Sequence, residues 1–531
     1  MPPLPLEPTD DRAQPAFRDA ASCTRWLSQL QLTNLQLAHS QLLTQLNEFN
    51  RYPLHGDVRL ATLESLRDTI HHVQNDYAKR FAGKPLPLND SELVSFFALS
   101  QLWHAMSIGY QRCLQDCLSG DRNLSGKAAM LCQRTLLYGG LGIGEHLRAG
   151  YEFDPRLWHQ LHSLYSHAEE QGWLFNEVSD PLTHSTNNCH RDYLGILLSS
   201  YRCLARLSRS QLNLLSEWLP QWAGALTVER RYASSRGDAQ PLAFDLSGAE
   251  GLQPVSAVTH SASMRYIAMV PLSKLIRVKT ILLQQGHTPQ QVELGEHASS
   301  RECIELLTLV HRCWCEDGNS QPGSLTKDVQ LCHGLANIHA ALSGKPYGAS
   351  AVPSETATRK QGEDFGNVAQ PAQANAKTGG TQEVWKTDEE NLLGALITRE
   401  GTAGSRVANN QLVAIRHSDS DPWRLATTSK VSVNRAGQLR LSLHFQPGVL
   451  QPVTVISETE VAPPAPLSVP GLLLLTAATL NIPDSLIIPP NWFKSGRTVQ
   501  IAPQQGEKLR ATLGFNVARG MDYERVSYTP A

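Results

Sequence analysis

Two hydrophobic periods coexist in this chain, and they constrain its architecture more than any other feature. Leu60, Leu63, Leu66, Ile70, Val73, Tyr77 and Phe81 recur at spacings of three and four, whereas Leu439, Leu441, Leu443 and Phe445 occupy every second position. The first spacing lines one face of an α-helix and the second lines one face of a β-strand. At 531 residues the chain is also too long for a single core. An α+β multidomain protein is therefore expected, with an N-terminal all-helical half and a β-rich C-terminal half.

The boundaries follow the composition. Residues 1–16 are proline-rich and read as a disordered tail. Residues 17–225 read as helix after helix. Asn89-Asp90-Ser91-Glu92 has the form of a capping box, and Asp154-Pro155 marks another helix start. Leu157, Trp158, Leu161, Tyr165 and Ala168 give one tetratricopeptide-like helix, so either a helical-hairpin array or a plain helical bundle fits. Residues 226–316 form a small α+β segment, with strands around Leu242–Leu246 and Met264–Val270 and helices over Leu272–Gln285 and Ser300–Cys315. A β-barrel is expected over 317–455, interrupted by a Gly-, Ala-, Ser- and Thr-rich disordered insertion at 345–383, and an extra β unit over 456–531.

Composition excludes several classes. The formal net charge of −2 gives no general attraction to a nucleic acid polymer or an anionic membrane. The longest apolar run, Leu472–Leu480, is far shorter than the roughly 20 residues that cross a bilayer. Met1-Pro2-Pro3-Leu4-Pro5 lacks the apolar core of a secretion signal, so a cytoplasmic location is expected. The ten cysteines should then be thiols, and no metal is expected from Cys313-Trp314-Cys315 with His311. Gly139-Gly140-Leu141-Gly142-Ile143-Gly144 lacks phosphate-loop spacing and reads as close helix packing. His71-His72 are adjacent, so one helix face cannot present both as ligands, and they read as helix surface. Lys274, Arg277 and Lys279 read as a solvated face. No nucleophile elbow or Walker loop is present, so no enzyme is expected.

The stretch Trp385-Lys386-Thr387-Asp388-Glu389-Glu390-Asn391-Leu392-Leu393-Gly394 is a polar turn leading into Ala395-Leu396-Ile397-Thr398, with further strands at Gln411–Arg416, Trp423–Ala426 and Gln438–Phe445. This order resembles a PilZ domain, the small barrel that binds cyclic di-GMP. In that family a (Asp/Asn)-x-Ser-x-x-Gly turn holds a guanine, and an upstream Arg-x-x-x-Arg holds phosphates and stacks on bases. Here Gly394 matches, Glu389 and Asn391 replace two polar positions, and residues 317–328 hold Lys327 but no arginine. A lysine lacks the fork and the stacking plane of a guanidinium. The resemblance places the ligand at Lys327, Glu389, Asn391, Gly394 and Arg399, with Arg406, Arg416 and Arg424 available for recruitment.

Phe17-Arg18-Asp19-Ala20-Ala21, Leu27–Gln45, Met269–Leu275 and Asp522–Val526 extend the resemblance to a group of long pseudomonad-type cyclic-di-GMP effectors with an atypical PilZ-like C-terminal half. That group implies a cytoplasmic signalling protein that binds cyclic di-GMP and promotes type IV pilus assembly and surface attachment. Its protein partner would belong to the pilus or motility machinery, with recruitment to the cell pole. The other reading is an interaction adaptor whose barrel has lost the nucleotide. Negative charge at Glu389 and Glu390 favours that second reading.

Overall fold

The computed structural model describes the chain except residues 1–5, 202–203, 205–206, 208, 233–238, 317–326, 346, 348–381, 402–403, 459–466, 477–482 and 505. The insertion expected at 345–383 lies almost wholly outside the described residues. The chain divides into two units: Met1–Pro322 with Ser432–Gln438, and Gly323–Val431 with Leu439–Ala531.

The first unit is helical through most of its length. It runs through α1 (Ala20–Leu27), α2 (Leu35–Arg51), α3 (Gly56–Ala78), α4 (Asp90–Leu118), α5 (Ala128–Ala149) and α6 (Arg156–Glu170). A short hairpin of β1 (Val178–Asp180) and β2 (Ser185–Asn187) precedes α7 (Cys189–Ser199) and α8 (Arg209–Ala223). The predicted capping box opens α4: Asn89 Oδ1 accepts from Glu92 N, and Glu92 Oε2 accepts from Asn89 N, each at 2.9 Å. Helix α4 packs against α2, α3 and α5, and Leu99, Leu102, Met106 and Tyr110 on it are fully buried. Gly140 on α5 permits a close approach, because a Cβ there would stand 2.4 Å from Ile196 Cδ1.

Buried charges also hold this core. Arg67 donates to Asp180 at 2.5 Å, and Arg134 lies 3.4 Å from the same carboxylate. Arg67 also donates to the Tyr138 hydroxyl at 3.0 Å, and Tyr138 stacks on Tyr110 with ring centroids 5.4 Å apart. His71, expected at the helix surface, lies 3.2 Å from the Tyr138 hydroxyl, and burial lowers its pKa to about 4. Only His72 is exposed, because consecutive helical positions point about 100° apart.

Two further differences appear at the N-terminus and in the middle segment. The tail expected to be disordered over 1–16 is tethered from Glu7 onward. Arg112 donates to Glu7 O at 2.7 Å, Gln14 N donates to Glu48 at 2.9 Å, and Ala13 is buried. The middle segment contains a four-stranded sheet, ordered β3 (Val228–Glu229), β6 (Met264–Ile267), β4 (Leu242–Asp245), β5 (Gln253–Pro254), followed by α9 (Val270–Gln284) and α10 (Ser300–His311). Lys279 does not lie on a solvated face. It is buried, with its ammonium donating to Val292 O at 2.5 Å and 3.3 Å from Glu293. Cys313 is disulfide-bonded, contrary to the expectation of thiols throughout, and Cys203 lies outside the described residues.

The second unit holds two closed six-stranded barrels. The first has the order β10 (Leu412–Arg416), β11 (Arg424–Val433), β12 (Leu439–Phe445), β9 (Gly394–Arg399), β8 (Glu383–Glu390), β7 (Lys327–His333). Its interior is set by alternation: Leu439, Leu441, Leu443 and Phe445 are buried while His444 is exposed. Helix α11 (Leu335–Ser343) follows β7 directly.

The second barrel has the order β13 (Val449–Ser457), β14 (Ser468–Leu475), β15 (Ser485–Ile488), β18 (Glu524–Pro530), β17 (Leu509–Arg519), β16 (Thr498–Pro503). Its core comprises Val453, Val455, Leu486, Ile488, Val499, Ile501, Leu513 and Val526. The expected boundary at 455/456 therefore moves to the turn at Gly448, whose φ of 135° suits a residue without a side chain. A second cluster, with Leu335, Ile338, Leu412, Leu425, Leu472, Leu474 and Tyr523, packs α11 and both barrels together.

Candidate nucleotide-binding rim of the first barrel

The strand registers bring most of the expected site to one end of the first barrel. Lys327 pairs with Thr387, Leu396 with Glu389, and His444 with Gly394. Lys327, Glu389, Asn391 and Gly394 consequently share the end where β8 turns into β9. Arg399 stands five residues along β9, about 16 Å away at strand rise.

The turn is closed by its own polar groups. Asn391 Oδ1 accepts from Leu393 N at 2.8 Å and Gly394 N at 3.0 Å, and Asn391 N donates to Gly394 O at 2.9 Å. This is an Asx turn, and it occupies the Asn391 side-chain oxygen. Gly394 is required by close approach, because a Cβ there would stand 2.1 Å from Leu443 O. The tip residues Leu392 and Leu393 are 93% and 62% exposed.

Arg399 is committed elsewhere. Its guanidinium is buried, donates to Glu383 and to Ser405 O at 3.1 Å, and lies over the Trp385 ring with Cζ 4.9 Å from the centroid. Burial pushes the Glu383 pKa up, but the Ser405 N–H and the Arg399 charge outweigh it and hold that carboxyl below its usual value. The structure thus separates Arg399 from the other four site residues.

Other cations take its place at the turn end. Ile415 pairs with Arg424, and Arg416 follows on β10, so both arginines come to the end that carries the turn. Arg416 Cζ lies 4.6 Å from the Trp423 ring centroid, and Arg424 Cζ lies 3.7 Å from the Phe445 centroid. Each guanidinium lies on an aromatic face, where cation–π attraction helps to position it.

Arg416 also donates to Gln330 at 2.8 Å and to Asp419 at 2.5 Å. Glu390 accepts from Arg424 and lies 2.8 Å from His417 Nε2. Trp423 and Phe445 were not read as site residues from the sequence. The only signal was local: Arg416 ends one strand, and Trp423 precedes the strand that pairs with it.

Residues 21–233 match the N-terminal domain of the cyclic-di-GMP receptor FimW, and residues 465–531 match the FimW C-terminal beta-barrel domain. The two matches together cover more than half of the chain. The chain belongs to the FimW family. The N-terminal FimW match spans the helical region from α1 through α8, and the C-terminal FimW match spans β14 to β18 of the second barrel. The first barrel, which carries the rim, lies between the two FimW segments. No curated protein and no solved structure matches the chain. Among the described residues no group of His, Cys, Asp and Glu is arranged to hold a metal ion, and no helix is long and apolar enough to cross a membrane.

Proposed function

We propose that this protein is a signalling effector that binds cyclic di-GMP at the turn end of its first barrel. The observation that carries this reading is the pair of guanidiniums stacked on aromatic rings, Arg416 on Trp423 and Arg424 on Phe445, beside the turn. A cyclic dinucleotide presents two phosphates and two purine faces. Fork-shaped cations suit its phosphates, and aromatic and guanidinium planes suit its bases. Lys327, exposed at the start of β7, adds a point charge on the same rim. Membership of a family named for a cyclic-di-GMP receptor supports the choice of ligand. In this reading the protein works in the cytoplasm without catalysing a reaction. Ligand binding promotes type IV pilus assembly and surface attachment through contacts with a protein of the pilus or motility machinery.

A second reading is an interaction adaptor whose barrel no longer takes nucleotide. Glu390 favours it, because that carboxylate already neutralises Arg424 and sits against His417. Calorimetric titration with cyclic di-GMP separates the two, with cyclic di-AMP and GTP as controls. Saturable binding that weakens in the Arg416→Ala/Arg424→Ala double variant supports the receptor. Absence of binding at high micromolar ligand leaves the adaptor.

A further inference from the structure

A cavity of about 190 Å³ opens in the helical unit between α5, α7 and α8. Its walls are apolar: Leu137 and Leu141 come from α5, Ile196 from α7, and Leu212 and Leu219 from α8. Gly144 and Gly195 also line it, and packing does not require either glycine. A Cβ at Gly144 would come no closer than 3.4 Å to the end of the Arg148 side chain, and one at Gly195 would lie 4.0 Å from Leu219 Cβ. Gly140 lets two helices touch, whereas these two glycines leave space between them.

The polar groups of the cavity are acceptors that lack a cation. Asp192 lines it and is half-buried. Its oxygens accept from two neutral amides, Gln133 at 2.6 Å and Asn187. Among the described residues no cation pairs with it. Arg134 pairs with Asp180 at 3.4 Å, and the two arginines that line the cavity carry their own glutamates, Arg148 with Glu145 at 2.7 Å and Arg191 with Glu177 at 3.0 Å. The Asp192 carboxylate is left as the uncompensated charge, and burial pushes its pKa up to about 7. Pro220, inside α8, has no N–H for the Ser216 carbonyl four residues earlier, and both residues line the cavity. A second acceptor is thereby left without its helical donor.

We infer that this cavity binds a small primary amine with an aromatic or branched-alkyl body, the ammonium donating to Asp192 and the body filling the leucine-lined space. A buried carboxylate without a counter-ion is costly, and a ligand cation supplies the missing charge. An ammonium carries three donors, enough for the Asp192 and Ser216 oxygens together. A cavity of roughly 150 Å³ lined by leucine, isoleucine and phenylalanine holds one benzene, so about 190 Å³ suits a single ring or a short branched chain. An anion would be repelled by Asp192, and a neutral apolar molecule would leave the carboxylate uncompensated. Every residue of the site belongs to the first unit, so the site is independent of the barrel rim.

The full chain is titrated calorimetrically with phenethylamine, with phenethyl alcohol as the neutral isostere and phenylacetate as the anion. Wild type is compared with Asp192→Asn, which removes the charge and keeps the cavity, and with Gly195→Leu, which fills the cavity and keeps the charge. The expected result is saturable phenethylamine binding, weaker binding of the alcohol, and none of phenylacetate. Asp192→Asn should weaken phenethylamine by about ten- to a hundredfold, the value of a charge-assisted bond, and leave the alcohol unchanged. Gly195→Leu should abolish binding of both without lowering the thermal midpoint, because a helix-forming residue replaces glycine.

No saturation by millimolar phenethylamine, equal or tighter binding of the alcohol or of phenylacetate, or phenethylamine binding that survives Gly195→Leu overturns the site. Indifference to Asp192→Asn does the same. Should Asp192→Asn fail to fold, the amine-to-alcohol ratio on the wild type and the loss in Gly195→Leu decide the question.

Discussion

The carboxylate of Glu390 accepts from the guanidinium of Arg424 while that guanidinium lies on the Phe445 ring. The cation is thereby oriented by the ring and neutralised by a side chain that a stronger anion can displace. Glu390→Gln removes the competing charge and should tighten cyclic di-GMP binding severalfold. Arg424→Ala should weaken it by about 1.5–3 kcal/mol, the value of a charge-assisted hydrogen bond. Calorimetry on the two single variants checks both signs, and weakening by Glu390→Gln would show that the carboxylate contacts the ligand directly.

Gly394 has no room for a methyl group against Leu443 O. Gly394→Ala must displace the backbone of β12 or break the Asn391 turn. It should cost about 1–3 kcal/mol, the usual range for overpacking. Denaturant unfolding followed by tryptophan fluorescence measures this, and an unchanged midpoint would mean that the turn relaxes freely.

Asp180 is the anionic centre of the buried network in the helical unit. Burial raises its pKa, but the hydrogen bond from Arg67 and the charge of Arg134 outweigh that and hold it below the ordinary carboxylate value. A carboxyl lowered on folding contributes stability that is present above its unfolded pKa and is lost as pH falls through the folded one. This contribution is therefore complete at neutral pH and disappears only in strong acid. Asp180→Asn leaves the two buried arginines with Glu64 as their remaining carboxylate, 3.1 Å from Arg67 and 3.5 Å from Arg134, and should cost up to about 3 kcal/mol at pH 7. The difference between variant and wild type should shrink at acid pH, as urea unfolding at both pH values would record.

Buried histidines act at milder pH, and His162, His104, His146 and His190 are lowered by burial alongside His39 and His71. Burial lowers His39 and His71 from the ordinary 6.5 to about 4. A group that protonates more readily when unfolded destabilises the native state as pH falls below its unfolded pKa. Stability of the helical unit should therefore decline between pH 6.5 and 4, by up to about 3 kcal/mol for each histidine. His39→Gln, at a site where the ring lies 2.9 Å from Gln74 Oε1, should flatten part of that decline. An unchanged slope would assign the decline to other groups.

Much of the architecture was legible in the sequence for a local reason. A helix or strand that buries one face writes its period into the chain, so α3 from Leu60 to Tyr77 and β12 from Leu439 to Phe445 could be read directly. Capping at Asn89 is equally local, since both bonds join residues three apart. The turn ending at Gly394 was legible because its bonds lie within four residues.

Contacts between distant residues were not legible. Nothing near Arg399 in the chain announces Glu383, Trp385 and Ser405 as its partners, because barrel closure brings them together. The same holds for Arg424 on Phe445 and for Asp180 between Arg67 and Arg134. The boundary at Gly448 was hidden because β12 and β13 follow each other with only a tight turn between them.

The sequence alone therefore determined the long helices and strands and the turn that closes at Gly394, since those properties depend on neighbours within a few residues, but not the short β1–β2 hairpin inside the helical half. Tertiary structure decided which arginines face that turn and which are locked away. Strand register and closure set those distances, and no local pattern encodes them.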